Sequence, residues 1–209
     1  MRKSIKTVGI AAVVLMATAP AHAATFFDSF DSENGGLSAL NYTGFANFTT
    51  SGQVDLVRSG DYGITCSGSC VDLDGTPGAG TLISNMFSYN AGDTVTLSFD
   101  LGGSQRVANG TDNVTIMLMS STDGTVSDSF DLASSAAFQT YSYAFTATAD
   151  GTVTFSLGTT SQDYIGPLVD NVSLDIAAIP EPATWAMMIA GFTIVGSTMR
   201  RRKVITSFV

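Results

Sequence analysis

Histidine, lysine, tryptophan and cysteine are nearly missing from this chain. Of 209 residues, one is histidine (His22), one is tryptophan (Trp185) and two are cysteines (Cys66 and Cys70). Between Ala24 and Ile179 there is neither histidine nor lysine. Two arginines, Arg58 and Arg106, face 17 acidic residues there, which leaves this body at a charge of −15. Without histidine in the body, Ser-His-Asp and Cys-His nucleophilic catalysis are excluded, as are the usual zinc enzymes. Without a basic surface, nucleic acid is excluded as a partner, because Lys and Arg must replace its counterions. What remains is carboxylate chemistry, calcium binding or no catalysis. Two suitably spaced acids would suffice for a glycosidase, but nothing singles out a pair among 17. The chain is read as non-enzymatic.

The cations are kept for the two ends. Met1–Lys6 is basic, Thr7–Ala19 is apolar, and Ala21-His22-Ala23 forms an A-x-A cleavage site, so residues 1–23 read as a secretory signal peptide. Its 13 apolar residues fall short of the roughly 20 that a membrane span needs. At the other end, Ala183–Met199 is apolar and runs directly into Arg200-Arg201-Arg202-Lys203. Its 17 residues reach about 25 Å as a helix. Trp185 near one interface and a basic cluster at the cytoplasmic end make it a candidate transmembrane helix. The domain reading is 1–23 signal peptide, 24–178 folded body, 179–203 C-terminal signal and 204–209 short tail.

The body reads as strand after strand. In Asp93–Leu101, Val95, Leu97, Phe99 and Leu101 alternate with polar residues, the period of a half-buried strand. The same pattern recurs at Asn113–Met119, Phe138–Ala147 and Thr152–Gly158. Turn dipeptides such as Asp123-Gly124 and Asp150-Gly151 separate them. Further strands are expected at Thr25–Phe30, Gln53–Arg58, Ser69–Leu73, Thr81–Tyr89, Val126–Leu132 and Pro167–Ile176. The fold class is all-β, an antiparallel β-sandwich of the jelly-roll kind.

Few residues suggest chemistry. Cys66 and Cys70, four apart in an exported chain, read as a small disulfide loop, with free thiols as the alternative. Val71-Asp72-Leu73-Asp74-Gly75 superficially matches a calcium loop, but the position twelfth from Asp72 is Ile83, not Glu. Asp72 is therefore placed on the wet face of a strand, and Asp74-Gly75 at the start of a turn. Asp170 shares parity with Leu168, Val172, Leu174 and Ile176, so unless a bulge intervenes its carboxylate points to the apolar side. Backbone amides, an arginine or a metal must then satisfy it. Asp28, Asp31 and Glu33 are candidate co-ligands for a structural calcium ion with Asp170, if the first and last strands are neighbours. Tyr42, Phe45, Tyr62, Tyr89 and Tyr164 are candidates to stack on sugar rings. Sequons stand at Asn41, Asn47, Asn109, Asn113 and Asn171.

The tail carries Pro180-Glu181-Pro182, then Trp185 and Gly191 within the apolar run, then Arg200, Arg201 and Arg202. It closely resembles the PEP-CTERM sorting signal of exported bacterial proteins, with two departures: Thr193 where many members have Gly, and the extension Val204–Val209. The resemblance implies passage through the secretion translocon, an inner-membrane intermediate, and recognition by an exosortase-type processing enzyme near Pro-Glu-Pro. It also implies a Gram-negative host that makes exopolysaccharide, and delivery to the cell surface or biofilm matrix. The body is similar to jelly-roll carbohydrate-binding and galactose-binding-like modules through Leu97-Ser-Phe-Asp-Leu101 and Asp170-Asn-Val-Ser173. The expectation is a surface or matrix protein that binds extracellular polysaccharide. The alternatives are an adhesive coat without a specific ligand and a carboxylate-dependent glycan hydrolase.

Overall fold

The alternating pattern of Asp93–Leu101 becomes an interior strand of one sheet, paired on both sides. The computed structural model describes residues 24–106, 110–178 and 182–200. The expected signal peptide with Ala21 and Ala23, the motif residues Pro180 and Glu181, and Arg201, Arg202 and the tail lie outside the described residues, as does Asn109. Thirteen strands are described: β1 Ala24–Asp28, β2 Phe48–Gly52, β3 Asp55–Arg58, β4 Ser69–Asp72, β5 Asp74–Gly75, β6 Gly78–Ser84, β7 Phe87–Tyr89, β8 Thr94–Gly102, β9 Thr111–Ser120, β10 Thr125–Ala133, β11 Gln139–Thr146, β12 Gly151–Thr159 and β13 Leu168–Ala177. They form two antiparallel sheets. The first, of six strands, runs β11-β8-β13-β4-β3, with β1 beside β13; the second, of seven, runs β10-β9-β12-β6-β2, with β5 beside β6 and β7 beside β12. From β10 onward each successive strand crosses to the other sheet, which is the winding of a jelly roll.

The inner faces close the core as the alternation predicts. Val95, Leu97, Phe99 and Leu101 of β8 face Val114, Ile116 and Leu118 of β9 and Val153, Phe155 and Leu157 of β12, all in one buried cluster. Phe155 meets Phe48 edge to face at 5.9 Å. The expected strand Thr81–Tyr89 is broken into β6 and β7, which pair with β12 one after the other. In the gap Ser84 Oγ accepts the Phe155 N–H at 2.9 Å, so no buried donor is orphaned. β11 has the same alternation as β8, but it lies at a sheet edge, and Tyr141, Tyr143 and Phe145 are only half-buried.

A bulge corrects the expected parity of Asp170. The register of β13 against β8 shifts between Asp170 and Ser173, and Asn171 takes φ 49°, a left-handed value that Asn tolerates better than most residues. Val169 therefore joins Val172, Leu174 and Ile176 in the main core. Leu168 falls on the opposite face, in a second cluster with Val57, Ile64 and Cys70, against which Cys66 and Phe138 pack. Asp170 goes with Leu168 to that outer face.

The C-terminal unit is a single helix, α1, Pro182–Arg200. Trp185, Ile189, Phe192 and Ile194 on it are exposed. Among the described residues no helix is long and apolar enough to cross a membrane, so the expected transmembrane span is not found among them. At about 1.5 Å per residue, 19 residues reach about 28 Å, below the roughly 30 Å hydrocarbon core. Pro182, Thr184, Thr193, Ser197 and Thr198 further dilute the apolar character.

Phe155 is fully buried where both sheets converge. Phe155→Ala should lower unfolding free energy by about 3–5 kcal/mol in urea titration. A loss below about 1 kcal/mol would mean that the two sheets do not close on it.

Candidate functional site

The polar chemistry of the sandwich gathers on the outer side of the β3–β4 end of the six-stranded sheet. Cys66 and Cys70 are joined by a disulfide with Cα atoms 6.2 Å apart. The four-residue separation leaves the intervening backbone N–H groups without sheet partners, and carboxylates take them. Ser67 N–H donates to Asp170 Oδ2 at 3.2 Å, and Ser69 N–H to Asp31 Oδ1 at 2.7 Å. Gly68 has φ +82°, and a Cβ there would collide with the Asp31 carboxylate. Asp31 and Asp170 thus come together around the loop. Glu33 does not join them: its Oε1 accepts the Ala46 N–H at 2.9 Å and its Oε2 the Tyr42 hydroxyl at 3.3 Å. Burial pushes the Asp170 carboxyl up to about 6; amide bonds from Asn171 and Ser67 oppose this, and the charges of Asp31 and Asp100 add to it. Among the described residues no three His, Cys, Asp or Glu side chains converge as a metal ion would require.

Beside the loop lies an open cleft of about 350 Å³ lined by Asp31, Gly36, Arg58, Ser59, Gly68 and Ser69. Arg58 and Ser69 are cross-strand partners at the ends of β3 and β4. Ser38 Oγ accepts the Arg58 N–H at 2.9 Å and donates to Asp61 Oδ2 at 2.6 Å, which fixes the β3 end. A second cleft of about 360 Å³ is lined by Gly52, Gln53, Pro77, Gly78, Ala79 and Gln162.

The structure also corrects the reading of Asp72 in Val71–Gly75. Asp72 is not on a wet face: it is 3% exposed, and Asp74 is fully buried. Asp72 stands opposite Asp55 across β3 and β4, and its Oδ1 accepts the Asp74 N–H at 3.0 Å and the Gly166 N–H at 2.9 Å. Burial pushes its carboxyl up from 3.8 to about 8; the two amide bonds and Arg106 oppose the shift, and Asp55 adds to it. Asp74 Oδ2 accepts N–H groups of Asp163 and Tyr164 at 2.8 and 3.0 Å. Sequence reasoning singled out both acids but missed their burial, and it did not find Gln53 and Gln162. Two acids two apart inside an apolar strand were the available signal. Of the aromatic candidates, Phe45 and Tyr89 are buried, while Tyr62 and Tyr164 are exposed on loops, with φ 52° and 69°.

A carboxyl whose pKa is higher in the fold than in the unfolded chain binds more protons when folded. Its stabilisation is full below the unfolded value and is lost as pH rises through the folded one. For Asp72 that window runs from 3.8 to about 8. The melting temperature should fall between pH 5 and pH 9, and Asp72→Asn should flatten the part of the slope above pH 6. An equal slope in the variant would remove Asp72 as its source.

Comparison with curated proteins finds no match. Among solved structures, the chain is similar to the K3 cleaved adhesin domain of Lys-gingipain from Porphyromonas gingivalis W83, at 14% identity over 74% of this chain and 99% of that one, TM-score 0.45. It is also similar to the CBM22 tandem domain of Xyn10C from Paenibacillus barcinonensis, at 12% identity over 79% and 48% of the two chains, TM-score 0.45. A third is TmCBM61 in complex with β-1,4-galactotriose, at 14% identity over 62% and 88%, TM-score 0.41. Residues 178–203 match the PEP-CTERM protein-sorting motif, which marks the chain as an exported protein sorted through its C terminus.

Proposed function

We propose that the chain is a substrate of an exosortase-type processing enzyme, delivered to the cell surface or extracellular matrix of a Gram-negative bacterium, with the sandwich as the delivered body. The observation that carries this reading is the order Pro180-Glu181-Pro182, apolar helix, Arg200–Lys203 inside the matched motif. As residue types, Pro180 and Pro182 disfavour helix in the residue that precedes each of them, which suits a site of recognition by a processing enzyme. The exposed apolar side chains of α1 supply the surface by which a membrane-embedded enzyme would hold it.

Binding of extracellular polysaccharide by the sandwich is the reading favoured by the two polar clefts. Arg58 supplies donors, Asp31 an acceptor, and Ser59 and Ser69 both, beside one wall of the disulfide loop. Gln53 and Gln162 offer amide donors and acceptors in the other cleft. An adhesive coat without a ligand and a carboxylate-dependent hydrolase are the competing readings.

Intact mass of the surface-extracted protein should show a chain beginning at Ala24 and ending near Pro182, and Glu181→Ala should accumulate the unprocessed tail. A wild-type chain that retains residues to Val209 would overturn the sorting reading. In affinity electrophoresis through the host's exopolysaccharide, the protein should be retarded, and Arg58→Ala with Gln162→Ala should lose most of that retardation. No retardation favours the coat, and release of reducing ends favours the hydrolase.

A further inference from the structure

Among the described residues two buried side-chain oxygens have no hydrogen-bond partner, Ser104 Oγ and Asp74 Oδ1, and the second belongs to an acid. Asp74 is fully buried. Its Oδ2 takes the N–H groups of Asp163 and Tyr164, but its Oδ1 has no hydrogen-bond donor. Beside it stands Asp163, whose amide is 2.8 Å from Oδ2 and whose carboxyl, as a hydrogen-bonding and charged neighbour, raises that of Asp74. Two ionised carboxylates on such neighbours repel, and where one is sealed from water the repulsion is poorly screened. Paired carboxyls of this kind hold one proton between them. Asp163 is exposed, so water reaches the pair from that side.

The geometry makes the pair a fastening. The segment 160–167 connects β12 to β13 and lies over β5. It is held there by the two amides on Asp74 Oδ2, by the Gly166 amide on Asp72, and by the Leu73 N–H donating to the Pro167 carbonyl at 3.1 Å. Gly166 sits so close that a Cβ would strike Asp72 Oδ1 and Asp74 Cβ at 2.7 Å. The same segment carries Gln162, which lines the second cleft, and the exposed Tyr164.

We propose that Asp74 and Asp163 share one proton, and that this proton latches segment 160–167, and with it the Gln162 wall of the cleft, onto β5. With the proton in place, a hydroxyl on one carboxyl donates to the other, and the Asp163 and Tyr164 amides stay on Asp74. When the proton leaves to water, two negative charges face each other at a buried oxygen. The exposed partner, Asp163, swings out and takes both amides with it. Burial and the neighbouring Asp163 charge both raise the Asp74 carboxyl, which places the release above the ordinary carboxylate range. The charged and titratable groups around the pair are Asp72 on β4, Asp55 opposite it on β3, Arg106 after β8, and the Tyr164 phenol on the segment itself. The acids add to the retention of the proton, and Arg106 acts against it through Asp72. The latch stands apart from the sorting reading and needs no ligand to be tested.

The test is hydrogen exchange read at single amides of the full chain, as protection factors, so that the intrinsic pH dependence of exchange is divided out. In the wild type, protection at Asp163 and Tyr164 should hold at pH 5 and then fall by about tenfold per pH unit once the shared proton is lost. Asp163→Asn and Asp74→Asn put a permanent N–H donor where the proton sat. Both should hold protection at these two amides flat from pH 5 to pH 9, while the Gly166 amide, which rests on Asp72, keeps its own dependence. Asp163 is exposed, so Asp163→Asn folds even if the buried substitution does not. Flat wild-type protection, or wild-type pH dependence in Asp163→Asn, would overturn the latch.

Discussion

Carboxylates bonded to backbone N–H groups hold the irregular parts of this molecule together. With Arg58 and Arg106 as the cations of a 17-acid body, the buried acids have almost no salt-bridge partners, and a buried charge without partners is not tolerated. The chain supplies amides instead. Asp55 takes the amides of Asn41 and Thr76, Asp72 those of Asp74 and Gly166, and Asp170 those of Asn171 and Ser67. A hydrogen bond contributes about 0.5–1.5 kcal/mol, and about 1.5–3 where the acceptor is charged, and several of these join segments far apart in sequence. Remove them and the sheets would still pair, but the loops that wall both clefts would have nothing to rest on.

The same economy explains the outer face of the six-stranded sheet. A regular β13 would have sent Asp170 into the main core. The Asn171 bulge sends it outward, and Leu168 with it. That single left-handed residue creates both the second apolar cluster and the acid over which the Cys66–Cys70 loop closes. Loop, bulge and acid are therefore one device: the disulfide limits the loop's freedom, Asp31 and Asp170 fix its amides, and Leu168 and Cys70 bury its underside.

Much of this was visible in the sequence, for a physical reason that differs from part to part. The alternation of β8, β9 and β12 is a local property with a period of two, and it survives into the structure as their buried faces. The sorting signal is linear, so its order of residues is its whole content. β2 was not visible because only Phe48 of its five residues is buried, and β5 because two residues carry no period. The burial of Asp72 and Asp74 was hidden as well. It depends on amides at Asp163, Tyr164 and Gly166, about ninety residues away, and a pattern read along the strand sees only a polar residue in an apolar run. The bulge at Asn171 was foreseeable only as a condition. Asn tolerates a left-handed backbone, but nothing local required it there.

A fold fastened by carboxylates on amides responds to its medium unlike one fastened by surface ion pairs. Dissolved salt weakens attractions between exposed charges within a Debye length of about 8–10 Å at physiological strength, and surface pairs contribute little even before that. The Asp72 and Asp74 bonds lie inside the protein, where mobile ions do not enter. The exposed acids repel one another, and added salt relieves that repulsion. For an exported protein, whose surroundings set the ionic strength, brine becomes a benign or stabilising medium.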